Sequence, residues 1–313
     1  MKSKSLFSNT RQLTRITILA RILLVLVVVV FGGYYYYDRY YHKPKPEQFE
    51  VNLAEAEQAV RDNPQNIDMR MALAEVYMFN QRYTDALTQA NQVFAKEPDN
   101  QRAWLVIGIA NASLGKPADA IEPLTKFVDA RKDEDMPGLD ESLKAAAYYL
   151  GDSYLQLGKP QEAIEPLKQA VEWSKTDADA MYKLGMAYSG VQDYANALNM
   201  FHYATTFVPD FLEAYDAMTA AYEAAAMPAY ADYARGMSAY AKKDYKTAIE
   251  LLLKSTQAEP GFALTFAGLG LAYEALGNLQ DAKSSYQEAV KLDPNNFTAK
   301  NGLERVEILI NRK

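Results

Sequence analysis

The sequence predicts an all-α solenoid of stacked helical hairpins carried on one N-terminal membrane-spanning helix. Three observations predict it. Six alanines (Ala86, Ala120, Ala163, Ala197, Ala248 and Ala282) form three successive pairs, each pair separated by 34 residues. Self-similarity at such a period marks a helical repeat array. From Phe49 onward, large apolar residues recur three and four apart, the spacing of one buried helix face. Residues 16–37 (ITILARILLVLVVVVFGGYYYY) form a 22-residue stretch with a single charge, Arg21.

Taken in chain order, residues 1–15 form a basic tail and residues 16–37 the span. As a helix the span is about 33 Å long, against a bilayer core of roughly 30 Å. Its ten residues 22–31 are all apolar. At about −0.3 to −0.6 kcal/mol each they favour insertion by roughly 3 to 6 kcal/mol. Arg21 lies within two turns of the N-terminal end and can snorkel to the headgroups. Tyr34 to Tyr37 and Tyr40–Tyr41 resemble an aromatic interface belt. A cleaved signal peptide is the competing reading. The apolar run is long for one, and bulky tyrosines stand where small residues would mark cleavage, so the segment reads as an uncleaved signal anchor.

Lys2, Lys4, Arg11, Arg15 and Arg21 precede the apolar core without an acidic residue, whereas the flank after it is mixed. The bias places the N-terminus in the cytoplasm and the body outside it, as for a protein of a bacterial inner or cell membrane. Residues 38–48 form a Tyr/Pro stalk, and HKPKP within it is kept extended by its prolines.

Composition narrows the function of the remainder. The 313-residue chain has no Cys and two His, His42 and His202. Disulfides, thiolate chemistry and Cys-ligated zinc are excluded, and a His-based metal site or triad is not expected. Residues 1–48 carry eight Lys and Arg against two acids, a net of +6, so the rest carries −13 of the total −7. An acidic body disfavours nucleic acid. There is no glycine-rich phosphate loop, and the acidic run Asp133, Glu134, Asp135 lacks calcium-loop spacing and reads as a solvated loop. No enzyme, no cofactor and no small-molecule substrate are expected.

The helices are expected as pairs over 67–95, 101–130, 144–174, 178–207, 229–258 and 263–291, after a lone helix near 49–62 and before a solvating cap near 296–311 that carries Lys300, Glu304, Arg305 and Glu307. Gly108, Gly151, Gly185 and Gly270 are small where paired helices approach closely, and the clock alanines do the same from the second helix. Pro98, Pro209, Pro260 and Pro294 set the turns into the next unit.

Two intervals depart from the period. Nine extra residues fall near 129–143 (DARKDEDMPGLDESL), which reads as an exposed loop. The interval from Ala197 to Ala248 is 51 residues, so a helix over 212–226 is left without a partner, and Met227-Pro228 marks a change of direction. The array then divides into blocks 49–226 and 227–313.

The stretch from Phe266 to Pro294 resembles the tetratricopeptide repeat. That pattern has a large residue, Leu-Gly and Tyr on the first helix, small, aromatic and small residues on the second, and a closing Pro. Phe266, Leu269, Gly270, Tyr273, Ala282, Tyr286, Ala289 and Pro294 fill those places, as do Met181, Leu184, Gly185, Tyr188, Ala197, Phe201, Ala204 and Pro209. The resemblance covers about residues 49–313. It implies a superhelix whose concave groove, lined by first-helix positions one removed from the packing positions, binds other proteins.

Carried over residue by residue, that groove comprises Met71, Glu75 and Met78, then Leu105 and Ile109, then Tyr148, Asp152 and Leu155, then Tyr182 and Met186. Asp216 and Glu223 follow, and then Tyr230, Tyr233, Met237 and Tyr240. Met71 and Glu75 stand where a basic clamp for C-terminal carboxylates would need Lys and Asn, so tail capture of that kind is not expected. A Tyr- and Met-rich groove with scattered acids suits an apolar or amphipathic segment bearing basic residues. The sequence thus reads as a membrane-anchored interaction scaffold of the cell envelope, with the bilayer and other proteins as partners. A membrane-tethered chaperone or assembly factor for exported clients is the alternative.

Overall fold

The computed structural model describes residues 48–312. The expected basic tail, the membrane span 16–37 and the stalk lie outside the described residues, apart from Gln48. Among the described residues no helix is long and apolar enough to cross a membrane.

Among the described residues fifteen α-helices follow one another: α1 (Gln48–Asp62), α2 (Ile67–Phe79), α3 (Tyr83–Phe94), α4 (Gln101–Ser113), α5 (Pro117–Arg131), α6 (Glu141–Gln156), α7 (Pro160–Trp173), α8 (Ala178–Gly190), α9 (Tyr194–Phe207), α10 (Leu212–Ala224), α11 (Pro228–Ala241), α12 (Tyr245–Ala258), α13 (Ala263–Ala275), α14 (Leu279–Leu292) and α15 (Phe297–Asn311). Local chemistry sets their starts. Asn66, Asn100, Asp140, Asp177, Asp193, Asp244 and Asn296 each accept a hydrogen bond from a first-turn backbone N–H. Pro117, Pro160 and Pro228 occupy first-turn positions, where a missing N–H costs nothing.

One turn recurs seven times. Three residues connect α2 to α3, α4 to α5, α6 to α7, α8 to α9, α10 to α11, α11 to α12 and α13 to α14, and the middle one is left-handed each time. The middle residues are Gln81, Gly115, Gly158, Gln192, Ala226, Lys243 and Gly277. The third residue of each turn donates its N–H to the carbonyl five residues back, as Met227 does to Tyr222 at 2.8 Å and Asp193 to Tyr188 at 2.9 Å. This is the Schellman closure, and it satisfies carbonyls that a helix end leaves orphaned.

Each helix packs on the next, and a second set of contacts runs α2–α4–α6–α8–α10 and then α11–α13–α15. These are the inner helices. All six clock alanines are fully buried. The expected close approaches are present: a Cβ on Gly108 would stand 2.5 Å from Leu124 Cγ, and one on Gly185 2.5 Å from Phe201 Cε1. Gly151 and Gly270 lie against Leu167 and Tyr286 in the same way.

Two expectations are corrected. The helix near 212–226 does not lack a partner: α10 packs on α11 across the standard turn, and α11 packs on α12 across another. A Cβ on Gly236 would stand 2.7 Å from Leu252 Cγ, the relation of Gly108 to Leu124, so α11 serves as the inner helix of the next hairpin. Two inner helices, α10 and α11, are therefore adjacent in sequence, and one inner row ends where the other begins. One buried cluster from Ala197 to Leu269 and Ala272 crosses residue 227, so the core is continuous there. The segment near 129–143 is more structured than a free loop. Helix α5 extends to Arg131, Pro137–Leu139 makes a short 3-10 turn against α6 and α7, and Arg131 pairs with Glu134 at 3.1 Å and Asp140 at 3.0 Å.

Ala226 occupies a left-handed position (φ 58°) without the freedom of glycine. That conformation costs an L-residue about 1–2 kcal/mol, and glycine offsets part of the gain by its larger unfolded-state entropy. Ala226→Gly is expected to raise unfolding stability by about 0.5–1 kcal/mol. Urea denaturation followed by far-UV circular dichroism tests this, and an unchanged or lowered midpoint would show that the turn is not strained.

Candidate functional site

The inner helices carry the predicted groove residues, and packing sorts them into three groups. The first group is consumed by the core. Met71 is fully buried in a cluster that includes Val60 of α1. Tyr233 and Met237 are 5% and 4% exposed. The Tyr233 ring stands edge-on to Phe262 at 5.0 Å, and Met237 Sδ lies 2.7 Å from where a Cβ on Gly268 would be. Burial pushes the Tyr233 hydroxyl well above the usual tyrosine range. Met71 is therefore withdrawn from the groove, and Tyr233 and Met237 are chiefly packing residues. Tyr233→Ala would open a core cavity, so it does not separate binding from folding.

The second group forms an open strip along α2, α4, α6 and α8. Met78, Leu105, Ile109, Tyr148 and Tyr182 are half-buried, and Glu75 and Met186 are exposed. Acids here are matched by bases on the next inner helix. Arg102 donates to Glu75 at 2.8 and 2.7 Å, and Lys183 pairs with Asp152 at 2.5 Å. The same relation returns in the second row, where Arg305 of α15 donates to Glu274 of α13 at 2.5 and 2.7 Å. An exposed pair such as Glu75–Arg102 stabilises by less than about 1 kcal/mol. Its larger effect is to neutralise that stretch of the face.

The third group lines two cavities. One, of about 470 Å³, lies between α8 and α10. Tyr182 and Met186 form one wall with Ser189, Tyr194 closes an end, and Glu213, Asp216 and the alanines 217, 220, 221 and 224 form the other side. The other cavity, of about 570 Å³, is where the two inner rows meet, and it gathers residues from α9, α11, α13 and α15. Tyr233, Met237 and Tyr240 form part of its wall, opposite His202 and Thr206 of α9 and next to Leu271 and Arg305. Tyr230 is not among its lining residues. It packs on Tyr222 at 5.5 Å and Phe262 at 4.7 Å.

The sequence reading missed the contributions of α9, α13 and α15 to this second cavity. Gly236 and Leu252, sixteen apart like Gly270 and Tyr286, were the signal that α11 is an inner helix. The exposed Phe297 begins an inner face on α15 that continues with Thr298, Asn301 and Arg305. The last helix is therefore less purely solvating than expected, and it also exposes Ile308.

His202 is held by its neighbours. Its Nε2 lies 2.8 Å from the Tyr222 hydroxyl, and its ring stacks over Tyr233 with centroids 6.4 Å apart. These contacts make His202 a packing residue. Among the described residues no three His, Asp or Glu side chains gather as a metal site.

A solenoid of paired helices with open inner faces is a polypeptide-binding architecture. Models of the tetratricopeptide repeat match residues 71–135, 151–191, 179–205 and 263–296. These stretches are tetratricopeptide repeats, and α10, α11 and α12 lie in the interval between the last two matches. The chain is similar to the heat shock protein sti1 homolog of Schizosaccharomyces pombe, 38% identical over 76 residues that are 24% of this chain and 13% of that protein. It is also similar to heat shock protein STI1 of Saccharomyces cerevisiae, 30% identical over 98 residues, 31% of this chain and 17% of that one. The matched region thus spans less than a fifth of either relative. Among solved structures, MamA aligns at 25% identity with a TM-score of 0.48, over 55% of this chain and 95% of that chain. Repeats of this kind bind other proteins, and proteins built from them are typically non-enzymatic scaffolds.

Burial lowers the His202 pKa to about 4 from an ordinary 6.5. The unfolded chain therefore takes up a proton at His202 below pH 6.5 that the folded chain refuses until about pH 4. The stability linked to neutral His202 is fully present above pH 6.5 and is lost as pH falls towards 4, by about 1 kcal/mol per pH unit within that window. His202→Gln keeps a partner for Tyr222 and is expected to flatten the fall in unfolding free energy between pH 6.5 and 5. Parallel curves for the two proteins would exclude His202 as the titrating group.

Proposed function

We propose that this protein is a membrane-anchored interaction scaffold: residues 16–37 hold it in a bilayer, and its repeat body binds segments of partner proteins in a membrane or cell-envelope complex. The observation that carries the reading is the inner face of α2 to α10, where Tyr148, Tyr182, Met186, Leu105 and Ile109 stay accessible beside acids while the rest of each hairpin is close-packed. Tyr and Met offer large contact area that adapts to varied shapes. Anchoring confines the body to the bilayer surface and raises its effective concentration towards partners there. The charge bias of the N-terminal tail supports a cytoplasmic N-terminus and an extracytoplasmic body.

A tethered chaperone or assembly factor is the second reading. The aligned repeats of two heat shock proteins favour it, although they span a small part of those proteins.

The two parts of the proposal are tested separately. The full chain is expected to stay in the membrane pellet after alkaline carbonate washing, and a chain lacking residues 1–37 to be released; release of both would reject the anchor. From gently solubilised membranes, affinity purification with quantitative mass spectrometry is expected to recover one set of partners in fixed ratio. A broad, substoichiometric spread of exported proteins would instead establish the chaperone reading.

A further inference from the structure

At three steps of the inner rows an acid is answered by a base on the neighbouring inner helix. Glu75 is answered by Arg102, Asp152 by Lys183 and Glu274 by Arg305, each across neighbouring inner helices. At the step from α8 to α10 two acids, Glu213 and Asp216, line the cavity, and no base is among its lining residues. Among the described residues the Glu213 side chain makes no hydrogen bond or ion pair. Asp216 accepts from Ser238 at 2.6 Å and meets Lys242 only at 3.9 Å. Burial is the main cause that raises the Tyr182 pKa; Lys183 lowers it, and Glu213 and Asp216 add smaller upward effects.

The shape of the cavity agrees with its charge. The α10 side is alanine from residue 217 through 224, interrupted by Met218, Thr219, Tyr222 and Glu223, so the floor is apolar and low. Tyr182 and Tyr194 present rings, and Met186 a flexible side chain, above it. A volume of about 470 Å³ lies within the range of roughly 300–1,000 Å³ usual for ligand sites.

Resting on the scaffold reading, we propose that the α8–α10 cavity captures a lysine or arginine side chain presented by an extended segment of the partner protein. The basic head group sits between Glu213 and Asp216, and its aliphatic stem runs over the alanine floor. The Tyr182 ring is placed for a cation–π contact. A neighbouring apolar residue of the segment packs on Met186. The cation that this chain supplies at three other steps of its inner rows is here supplied by the partner.

The test uses the full-length chain in mild detergent, immobilised and panned with a random-peptide phage library. Enriched peptides are expected to carry Lys or Arg next to an apolar residue. A synthetic copy of the leading clone, followed by fluorescence anisotropy, is expected to bind at least about tenfold more weakly when its basic residue becomes Met, or when the protein carries Glu213→Gln with Asp216→Asn. Binding is also expected to weaken as salt rises. Ala220→Trp, at an exposed position of the floor, is expected to abolish binding, with circular dichroism confirming that each variant keeps its helix content. Enriched peptides that lack basic residues, or that bind the double variant equally well, would overturn this inference while leaving the groove as a binding face. A library that yields no enriched peptide would count against both readings.

Discussion

Everything in this molecule depends on how closely each inner helix approaches its outer partner. At five hairpins a glycine on the inner helix receives a large side chain sixteen residues later: Leu124, Leu167, Phe201, Leu252 and Tyr286. From the other side the fully buried clock alanines admit the inner helix. Any Cβ at those glycines would displace a side chain that has nowhere to go, because protein interiors are packed at near-crystalline density. The close approach fixes the axial register of the pair. The recurring left-handed turn then follows, since three residues must carry the chain from one axis to the other while satisfying the carbonyls at the end of the first helix. With register and turn fixed, only one face of each inner helix stays uncovered, and stacking aligns those faces into a strip.

The same constraint explains where the array changes course. Helix α11 does two jobs. It closes the standard turn from α10 as an outer helix would, and it also carries Gly236, which admits Leu252 as only an inner helix does. A helix has room for both because the two contacts use different sides. The consequence is that α10 and α11 both contribute inner faces, and the second row is turned so that α9 lies across its opening. The aromatic set Tyr222, Tyr230, Tyr233 and Phe262, with His202, fills the wedge between the rows. This wedge keeps the core continuous across residue 227.

How much was legible in the sequence depended on whether a feature arises within one hairpin or between hairpins. Helix pairing and most boundaries were legible, since alanine spacing, Leu-Gly pairs and prolines are local marks. Four of the seven left-handed turn positions were not, because Gln81, Gln192, Ala226 and Lys243 are not residues that announce that conformation. Groove membership was legible only in part. A position one removed from the packing face is exposed when the neighbouring inner helix leaves space, as beside Tyr182 and Met186, and buried when a neighbour intrudes. The α1 cluster takes in Met71, and Phe262 and Gly268 close over Tyr233 and Met237. Those intrusions come from elements far along the chain, to which a local offset rule is blind.

The two openings that result differ in electrostatic character, and the difference follows from the ion pairs rather than from composition alone. The body is strongly acidic, but Glu75, Asp152 and Glu274 on the inner rows are already neutralised by a base on the next inner helix. Charge that is neutralised within the chain cannot select a partner, because its attraction is spent before the partner arrives. Selectivity by charge therefore concentrates at the α8–α10 cavity, whose lining carries Glu213 and Asp216 and no base. The second opening, in which Arg305 is engaged with Glu274 and most of the wall is aromatic, aliphatic or hydroxyl-bearing, offers shape and apolar area instead. A single partner segment that crossed both openings would need a basic residue for the first and a neutral, bulky one for the second. Such a two-part requirement is more selective than either contact alone, since a segment lacking one of them forfeits the avidity of the pair.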